Sequence, residues 1–190
     1  MRHVVALAGV ALLAGALSAG AAPVTNCHWT GGGMAGNWFD ANNWTNEAGV
    51  NMVPDNRNCR AFIGNGFGAM TFTGAVAIVN RIQTGDGKIT FPAGLEFWYE
   101  TVTGGNQGGG ITVGTGGAEV NGNIVHPHGG GFMDASGLLK AAGVAWGNWG
   151  FLAQNGAGVF EITTFNFPLA GNPAIIGALK FTNGTPTSIS

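Results

Sequence analysis

His126 and His128, separated by Pro127 and followed by Asp134, are the side chains best suited to hold a metal ion. Two imidazoles and a carboxylate provide three ligands of the kind that zinc and related ions take. The proline imposes an extended backbone, so both rings can lie on one side of a strand, but the Gly-rich surroundings equally describe a solvated turn. Because the solvated loop is the commoner use of such residues, we expect no metal and no cofactor.

Paired carboxylates are the second set that could do chemistry. Glycoside hydrolysis needs two acids facing one cleft at about 5 to 9.5 Å, and the pairs to consider are Glu96 with Glu100 and Asp134 with Glu161. Glu96 and Glu100 are four positions apart, which on a strand places them on one face at about 13 Å, too far for hydrolysis. The chain contains no G-x-S-x-G, H-E-x-x-H or phosphate-loop pattern. We therefore expect a protein without enzymatic activity.

Three tryptophans, Trp98, Trp146 and Trp149, are candidates for stacking on sugar rings. An exposed indole offers a large flat apolar face, although core packing is the commoner use of tryptophan. Side chains alternate across a strand, so Trp98 faces outward if Phe97 and Tyr99 face the core. Exposed indoles would indicate a polysaccharide ligand.

Residues 1–22 have the composition of a secretory signal, in which Arg2 precedes an apolar run and small residues lead to Ala22. This pattern predicts export with cleavage near Ala22, and a retained membrane anchor is the alternative. No stable membrane span is expected after the signal is removed. The predicted location is extracellular or on the cell surface.

Cys27 and Cys59 are the only cysteines of the chain. In an oxidising compartment an even pair is expected to form a disulfide. Closing a loop of about 32 residues would stabilise the chain by about 3 to 4 kcal/mol in the chain-entropy model. Two separate buried thiols are the alternative.

The composition is rich in glycine and poor in charge, with 36 Gly and 8% charged residues among 190. Gly costs about 1 kcal/mol per helical position relative to Ala, so tight turns between strands are favoured over a helical bundle. The formal net charge of -2 offers no basic surface for a phosphate backbone. Nucleic acid is therefore excluded as a partner.

A Trp-rich stretch lies between the two cysteines and has the order W-x-G, then G-N-W-x-D-x-x-N-W, then V-P-D-N and A-F-I. It resembles the opening repeat of bacterial secreted and autotransporter-passenger-like proteins. The matching residues are Trp29, Gly31, Gly36, Asn37, Trp38, Asp40, Asn43, Trp44, Val53, Pro54, Asp55, Ala61 and Ile63. The resemblance implies that this repeat introduces a right-handed parallel β-helix. The bracketing cysteine pair is a departure from that pattern.

The rest of the chain consists of short apolar segments broken by glycine, which is typical of an all-β fold. Gly-preceded apolar triplets recur about every 21 residues, roughly one solenoid coil. We therefore predict a right-handed parallel β-helix at residues 64–190, capped by a Trp-rich, disulfide-bridged segment at residues 23–63 within the same domain. An antiparallel β-sandwich is the alternative. The predicted inward positions are Val76, Ile78, Ile89, Phe91, Ile111, Val113, Val120, Ile124, Phe132, Val159 and Ile162.

These features together predict a secreted or surface-displayed, non-enzymatic module for adhesion, matrix or envelope structure. Its expected partners are a polysaccharide or another cell-surface ligand, and further copies of itself that join at the solenoid ends. A carbohydrate-binding or polysaccharide-cleaving β-helix protein is the alternative function.

Overall fold

A computed structural model describes residues 24–73, 78–98, 100–102, 105–107, 109–126, 131–146, 151–154, 156–166, 173–176 and 179–180. The predicted signal segment, Val76, His128 and Trp149 lie outside these residues. The only helical element described is a 3-10 turn at Ala41–Asn43. The described strands, in chain order, are β1 (Thr25–Trp29), β2 (Trp44–Asn46), β3 (Cys59–Ile63), β4 (Met70–Thr71), β5 (Ile78–Val79), β6 (Arg81–Thr84), β7 (Ile89–Phe91), β8 (Leu95–Phe97), β9 (Glu100–Val102), β10 (Gly105–Gln107), β11 (Gly109–Val113), β12 (Ala118–His126), β13 (Gly131–Ala135), β14 (Leu138–Trp146), β15 (Phe151–Gln154), β16 (Val159–Asn166), β17 (Pro173–Ile176) and β18 (Leu179–Lys180).

Most of these strands belong to two eight-stranded sheets. The first, called the mixed sheet, has the order β17-β15-β13-β11-β6-β3-β1-β2. All its pairs are parallel except β1 with β2 at one edge. The second, called the all-parallel sheet, has the order β18-β16-β14-β12-β7-β4, and in it β8 pairs with both β12 and β5. Strands β9 and β10 form a separate antiparallel hairpin.

The predicted right-handed parallel β-helix is wrong, because the strands form two open sheets and neither sheet is closed or curled. The antiparallel pair β1–β2 and the separate hairpin also depart from a uniform parallel coil. The antiparallel sandwich is wrong as well, since nearly all neighbouring strands within both sheets run parallel. From β11 to β18 the chain alternates strictly between the sheets, so partners within one sheet are separated by a strand of the other.

One hydrophobic core lies between the sheets and includes residues of both, such as Ile111 and Met133 of the mixed sheet and Val120 and Leu139 of the all-parallel sheet. In β3, β6 and β7 alternate residues are buried, as the side-chain period of a strand requires. The predicted inward positions found buried are Ile89, Phe91, Ile111, Val113, Val120, Ile124 and Ile162.

The remaining predicted inward positions differ. The prediction that Phe132 faces inward is wrong. Phe132 is half-buried on the outward side of β13, where the Arg81 guanidinium lies 4.9 Å from its ring centroid. Val159 is only half-buried. The side chain of Ile78 lies outside the described part.

Stacked turns account for part of the glycine content. Gly64, Gly85 and Gly114 follow the last residues of β3, β6 and β11. A Cβ added at Gly114 would lie 2.2 Å from the carbonyl oxygen of Gly85, and one at Gly85 would lie 2.5 Å from that of Gly64. Cβ atoms do not approach backbone oxygens so closely, so these turns stack at strand spacing only without side chains.

The N-terminal tryptophans form an aromatic cluster that joins the main core. Trp38 packs edge-on against Trp44 at 4.7 Å and against Phe72 at 4.9 Å between ring centroids. Trp29 packs edge-on against Trp44, and Phe72 stacks on Phe91 of β7. The cluster is therefore continuous with the interior of the all-parallel sheet.

The polar residues of the Trp-rich motif hold the turns around this cluster. The Asn43 side chain accepts a hydrogen bond from the Gly33 backbone N–H and donates to the backbone oxygens of Met34 and Asn37. The Asp40 carboxylate accepts from the backbone N–H groups of Met34 and Asn42, and these bonds hold its pKa below the ordinary value. The motif residues seen here thus have structural roles.

Candidate functional site

The proposed metal ligands are not brought together in the described part of the chain. His126 is fully buried at the end of β12, and its Nε2 accepts a hydrogen bond from the Gly109 backbone N–H at 3.3 Å. Asp134 lies on β13, on the outward side of the mixed sheet. No cluster of three or more His, Cys, Asp and Glu side chains suited to a metal occurs among the described residues.

The carboxylate pairs do not form a described cleft either. Asp134 belongs to the mixed sheet and Glu161 of β16 to the all-parallel sheet, and both lie between buried neighbours. Each therefore points away from the shared core, on opposite sides of the molecule. Glu96 accepts a hydrogen bond from the indole Nε1 of Trp98, and the side chain of Glu100 lies outside the described part.

Of the predicted stacking residues, only the side chain of Trp98 is described. Trp98 is half-buried and follows the buried Phe97. Its backbone oxygen accepts a hydrogen bond from the side chain of the buried Asn80 at 2.8 Å. Trp98 is thus held by polar contacts from both its side chain and its backbone. Trp146 ends β14, with its side chain outside the described part.

Cys27 and Cys59 are buried free thiols on the adjacent strands β1 and β3. They are hydrogen-bonded to each other, which lowers the pKa of Cys59 and, together with burial, raises the pKa of Cys27. Cys59 is in register with Thr25 and Cys27 with Ala61, so the cysteines are diagonal neighbours. Diagonal neighbours have Cα atoms about 7 to 8 Å apart, slightly beyond the usual range for a disulfide.

Oxidation of the dithiol with excess oxidised glutathione is expected to form the Cys27–Cys59 disulfide and to stabilise the fold by about 2 kcal/mol. The expected gain is below the chain-entropy value because the diagonal placement requires β1 and β3 to shift. Urea unfolding with and without a reductant measures the difference. In the Cys27→Ser variant the reductant should have no effect. A wild-type protein that remains a dithiol, or that loses stability on oxidation, would contradict the expectation.

A row of side chains crosses the outward face of the mixed sheet. It consists of successive register partners on five neighbouring strands, which we call the outer row: His28, Phe62, Gln83, Thr112 and Asp134. All five are exposed or half-buried, whereas the residues flanking them within their strands are buried. With strands about 4.8 Å apart, the row extends for about 19 Å.

The outer row begins with an aromatic platform. The rings of His28 and Phe62 are stacked with centroids 5.1 Å apart and planes 18° apart. Beside them, Phe62, Asn65 and Gln83 line a shallow depression of about 200 Å³. An amide, a hydroxyl and a carboxylate follow at Gln83, Thr112 and Asp134. Flat apolar surface followed by hydrogen-bonding groups suits a ligand with an apolar face and a polar rim.

A second row of side chains runs alongside the outer row on the same face, two residues earlier in each strand. Asn26, Arg60 and Arg81 are register partners on β1, β3 and β6. Gly110 separates Arg81 from Phe132 in register, and the absence of a side chain there lets the guanidinium reach the phenyl ring. The arginines add cationic groups beside the outer row.

In the described part of the chain no helix is long and apolar enough to cross a membrane. Comparisons with protein-family models, with curated proteins and with solved structures found no match to this chain.

Proposed function

We propose that this protein is an exported, non-enzymatic adhesion or structural module that binds a linear polysaccharide along the outer row. The observation that carries the proposal is the in-register sequence of an aromatic pair followed by amide, hydroxyl and carboxylate groups. A pyranose ring has an apolar face that stacks on an aromatic ring and hydroxyl groups that bond to such polar side chains.

The length of the row supports a polymer over a single sugar. Its members lie on five adjacent strands, so successive sugar units of an extended chain meet successive strands. Many weak contacts of this kind give affinity without a deep pocket, in keeping with the shallow depression beside Phe62. The signal-like composition of residues 1–22 supports export, and the resemblance of the Trp-rich motif to secreted and passenger-like proteins supports a surface location.

Binding without cleavage is favoured by the placement of the acids. Within the described residues, the outer row contains one carboxylate, Asp134, and Glu161 lies on the opposite sheet. A hydrolytic mechanism needs two carboxyl groups within about 10 Å across one cleft. The arrangement therefore supports recognition of a glycan.

The test is depletion of the protein from solution by insoluble cellulose, chitin and mannan, with reducing ends counted in the same tubes. We expect binding to at least one polymer without release of reducing ends. Phe62→Ala is expected to weaken that binding about tenfold, the effect of losing one aromatic anchor. Gln83→Ala, which alters an exposed residue, is expected to weaken it several-fold.

Phe39→Ala is the matched control, because Phe39 is an exposed phenylalanine on the N-terminal turns and lies outside the row. Circular dichroism melting verifies that each variant is folded. Equal binding by the Phe62→Ala and Phe39→Ala variants would place the site elsewhere. Release of reducing ends would refute the non-enzymatic assignment, and no depletion by any polymer would refute a polysaccharide ligand of this class.

A further inference from the structure

The outward face of the all-parallel sheet carries a row of alternating charges. Glu119 of β12, Lys140 of β14 and Glu161 of β16 are direct register partners, so the sign changes from strand to strand. Lys88, just before β7, adds a positive group on the other side of Glu119. We call these four residues the charge ladder. They are drawn from only nine acidic and seven basic residues in the chain, so charge is concentrated on this face.

Glu119 is the centre of the charge ladder. Its carboxylate lies 3.0 Å from the Lys88 Nζ and 3.4 Å from the Lys140 Nζ. Hydrogen bonds from Lys88 and then Lys140 hold the pKa of Glu119 below its ordinary value, so it is charged at neutral pH. The side chains of Lys88 and Lys140 are 57% and 50% exposed, which leaves both ammonium groups open to a second carboxylate.

A groove of about 290 Å³ lies beside the charge ladder. Ala118 is in register with Ile89 and Leu139, so Gly117 lies in register between Lys88 and Leu138. Gly117 is buried and has a φ of +83°, and a Cβ added there would lie 2.9 Å from the Leu138 backbone oxygen. Leu138 forms one wall of the groove. Leu138 is 45% exposed and is one of four large apolar side chains exposed in the described part of the chain.

This face is complementary to itself. Consider a two-fold axis that lies in the plane of contact, parallel to the strands and midway between β12 and β14. The rotation places the partner copy's β14 opposite β12 and its β12 opposite β14, so Glu119 faces the Lys140 of the second copy and Lys140 faces the second Glu119. On the neighbouring row it places each Leu138 over Gly117 of the other copy, so that the two exposed leucines lie within the contact. The charges thus match under one symmetry operation, as a two-fold interface requires.

We propose that the outward face of the all-parallel sheet, centred on Glu119, Leu138 and Lys140, is a homodimer interface whose occupant is a second copy of this chain. The nine-residue strands β12 and β14 with β16 offer a face of roughly 30 by 14 Å. Such a face buries less than about 1,200 Å² in total, which is the size class of weak, reversible contacts. The interface is separate from the outer row, which remains free on the opposite sheet of each copy.

The test is sedimentation velocity of the full mature chain over a concentration series up to about 1 mM, where contacts of this size class associate. We expect the wild-type sedimentation coefficient to rise toward that of a dimer. Glu119→Lys and Lys140→Glu are each expected to remain monomeric, because like charges then face each other across the axis. Mixing these two variants is expected to restore dimers, since each introduced charge then faces its opposite.

Recovery in the mixture also shows that both variants are folded, because unfolded chains would not form a defined dimer. Leu138→Asp is expected to remain monomeric alone and to block recovery when combined with Lys140→Glu. Arg57→Glu changes the net charge by the same amount as Lys140→Glu on an exposed loop, and it should dimerise like wild type. A wild type that is monomeric at every concentration, or a mixture that fails to associate, would overturn the proposal.

Discussion

Trp38→Ala is expected to lower the free energy of unfolding by about 3 to 5 kcal/mol, the usual cost of deleting a buried large aromatic side chain. Trp38 is fully buried and contacts the rings of Trp44 and Phe72. Its indole Nε1 also donates a hydrogen bond to the Pro54 backbone oxygen at 3.1 Å. The substitution removes core contacts and leaves that buried oxygen without its donor, and both effects destabilise the fold.

Urea unfolding followed by circular dichroism measures this loss. Phe39→Ala is the control, because the adjacent Phe39 side chain is 47% exposed and its removal should cost less than about 1 kcal/mol. Trp38→Phe keeps an aromatic ring and should be intermediate, which provides a measurement if the alanine variant does not fold. Equal losses for Trp38→Ala and Phe39→Ala would show that the aromatic cluster does not contribute as its packing indicates.

Gly114→Ala is expected to destabilise the protein by about 3 kcal/mol, the upper part of the usual range for overpacking. A Cβ at this position would lie 2.2 Å from the Gly85 oxygen and 2.5 Å from the Thr84 oxygen. Both atoms belong to the backbone of the neighbouring turn, so they cannot move aside by a change of rotamer. The turn that connects β11 to β12 would have to separate from the turn that follows β6.

Gly64→Ala is the matched control, because Gly64 occupies the corresponding turn after β3. A Cβ at Gly64 has no neighbour within 4 Å, and its φ lies outside the positive region. We expect no loss there, and a gain of about 0.4 to 1 kcal/mol from the reduced freedom of the unfolded chain. Thermal melts of the two variants compare these effects. A Gly114→Ala variant as stable as Gly64→Ala would mean that the stacked turns accommodate a methyl group.

The strand-rich secondary structure, and most of the residues that face inward within individual strands, were predictable from the sequence. The high glycine content indicated strands and turns in place of helices, and the described chain has one three-residue 3-10 turn as its only helix. Apolar alternation identified most inward positions, including Ile89, Ile111 and Ile162. Phe132 was the exception, because an aromatic residue on the outer face is also stabilised by the Arg81 guanidinium, and hydrophobicity alone does not distinguish the two faces.

The arrangement of the strands was not predictable from the same pattern. A repeat of about 21 residues indicates that successive segments stack, but it does not specify whether the chain winds into a β-helix or builds two open sheets. Here an antiparallel strand, β2, pairs at the edge of an otherwise parallel sheet. That pairing depends on the packing of the Trp-rich turns, which no local periodicity encodes.

The outer row was decided by strand register and not by a period in the sequence. His28, Phe62, Gln83, Thr112 and Asp134 are separated in sequence by 34, 21, 29 and 22 positions, partly because the β9–β10 hairpin is inserted between β8 and β11. No fixed period connects them. In the charge ladder Lys88 and Glu119 are 31 positions apart, whereas Glu119, Lys140 and Glu161 follow one another at 21 positions, the repeat seen in the sequence. The sequence by itself determined which side of each strand faces water, because side chains alternate. Which outward side chains become neighbours was decided only when backbone pairing set the register, since a shift of one residue would turn every one of them to the other face.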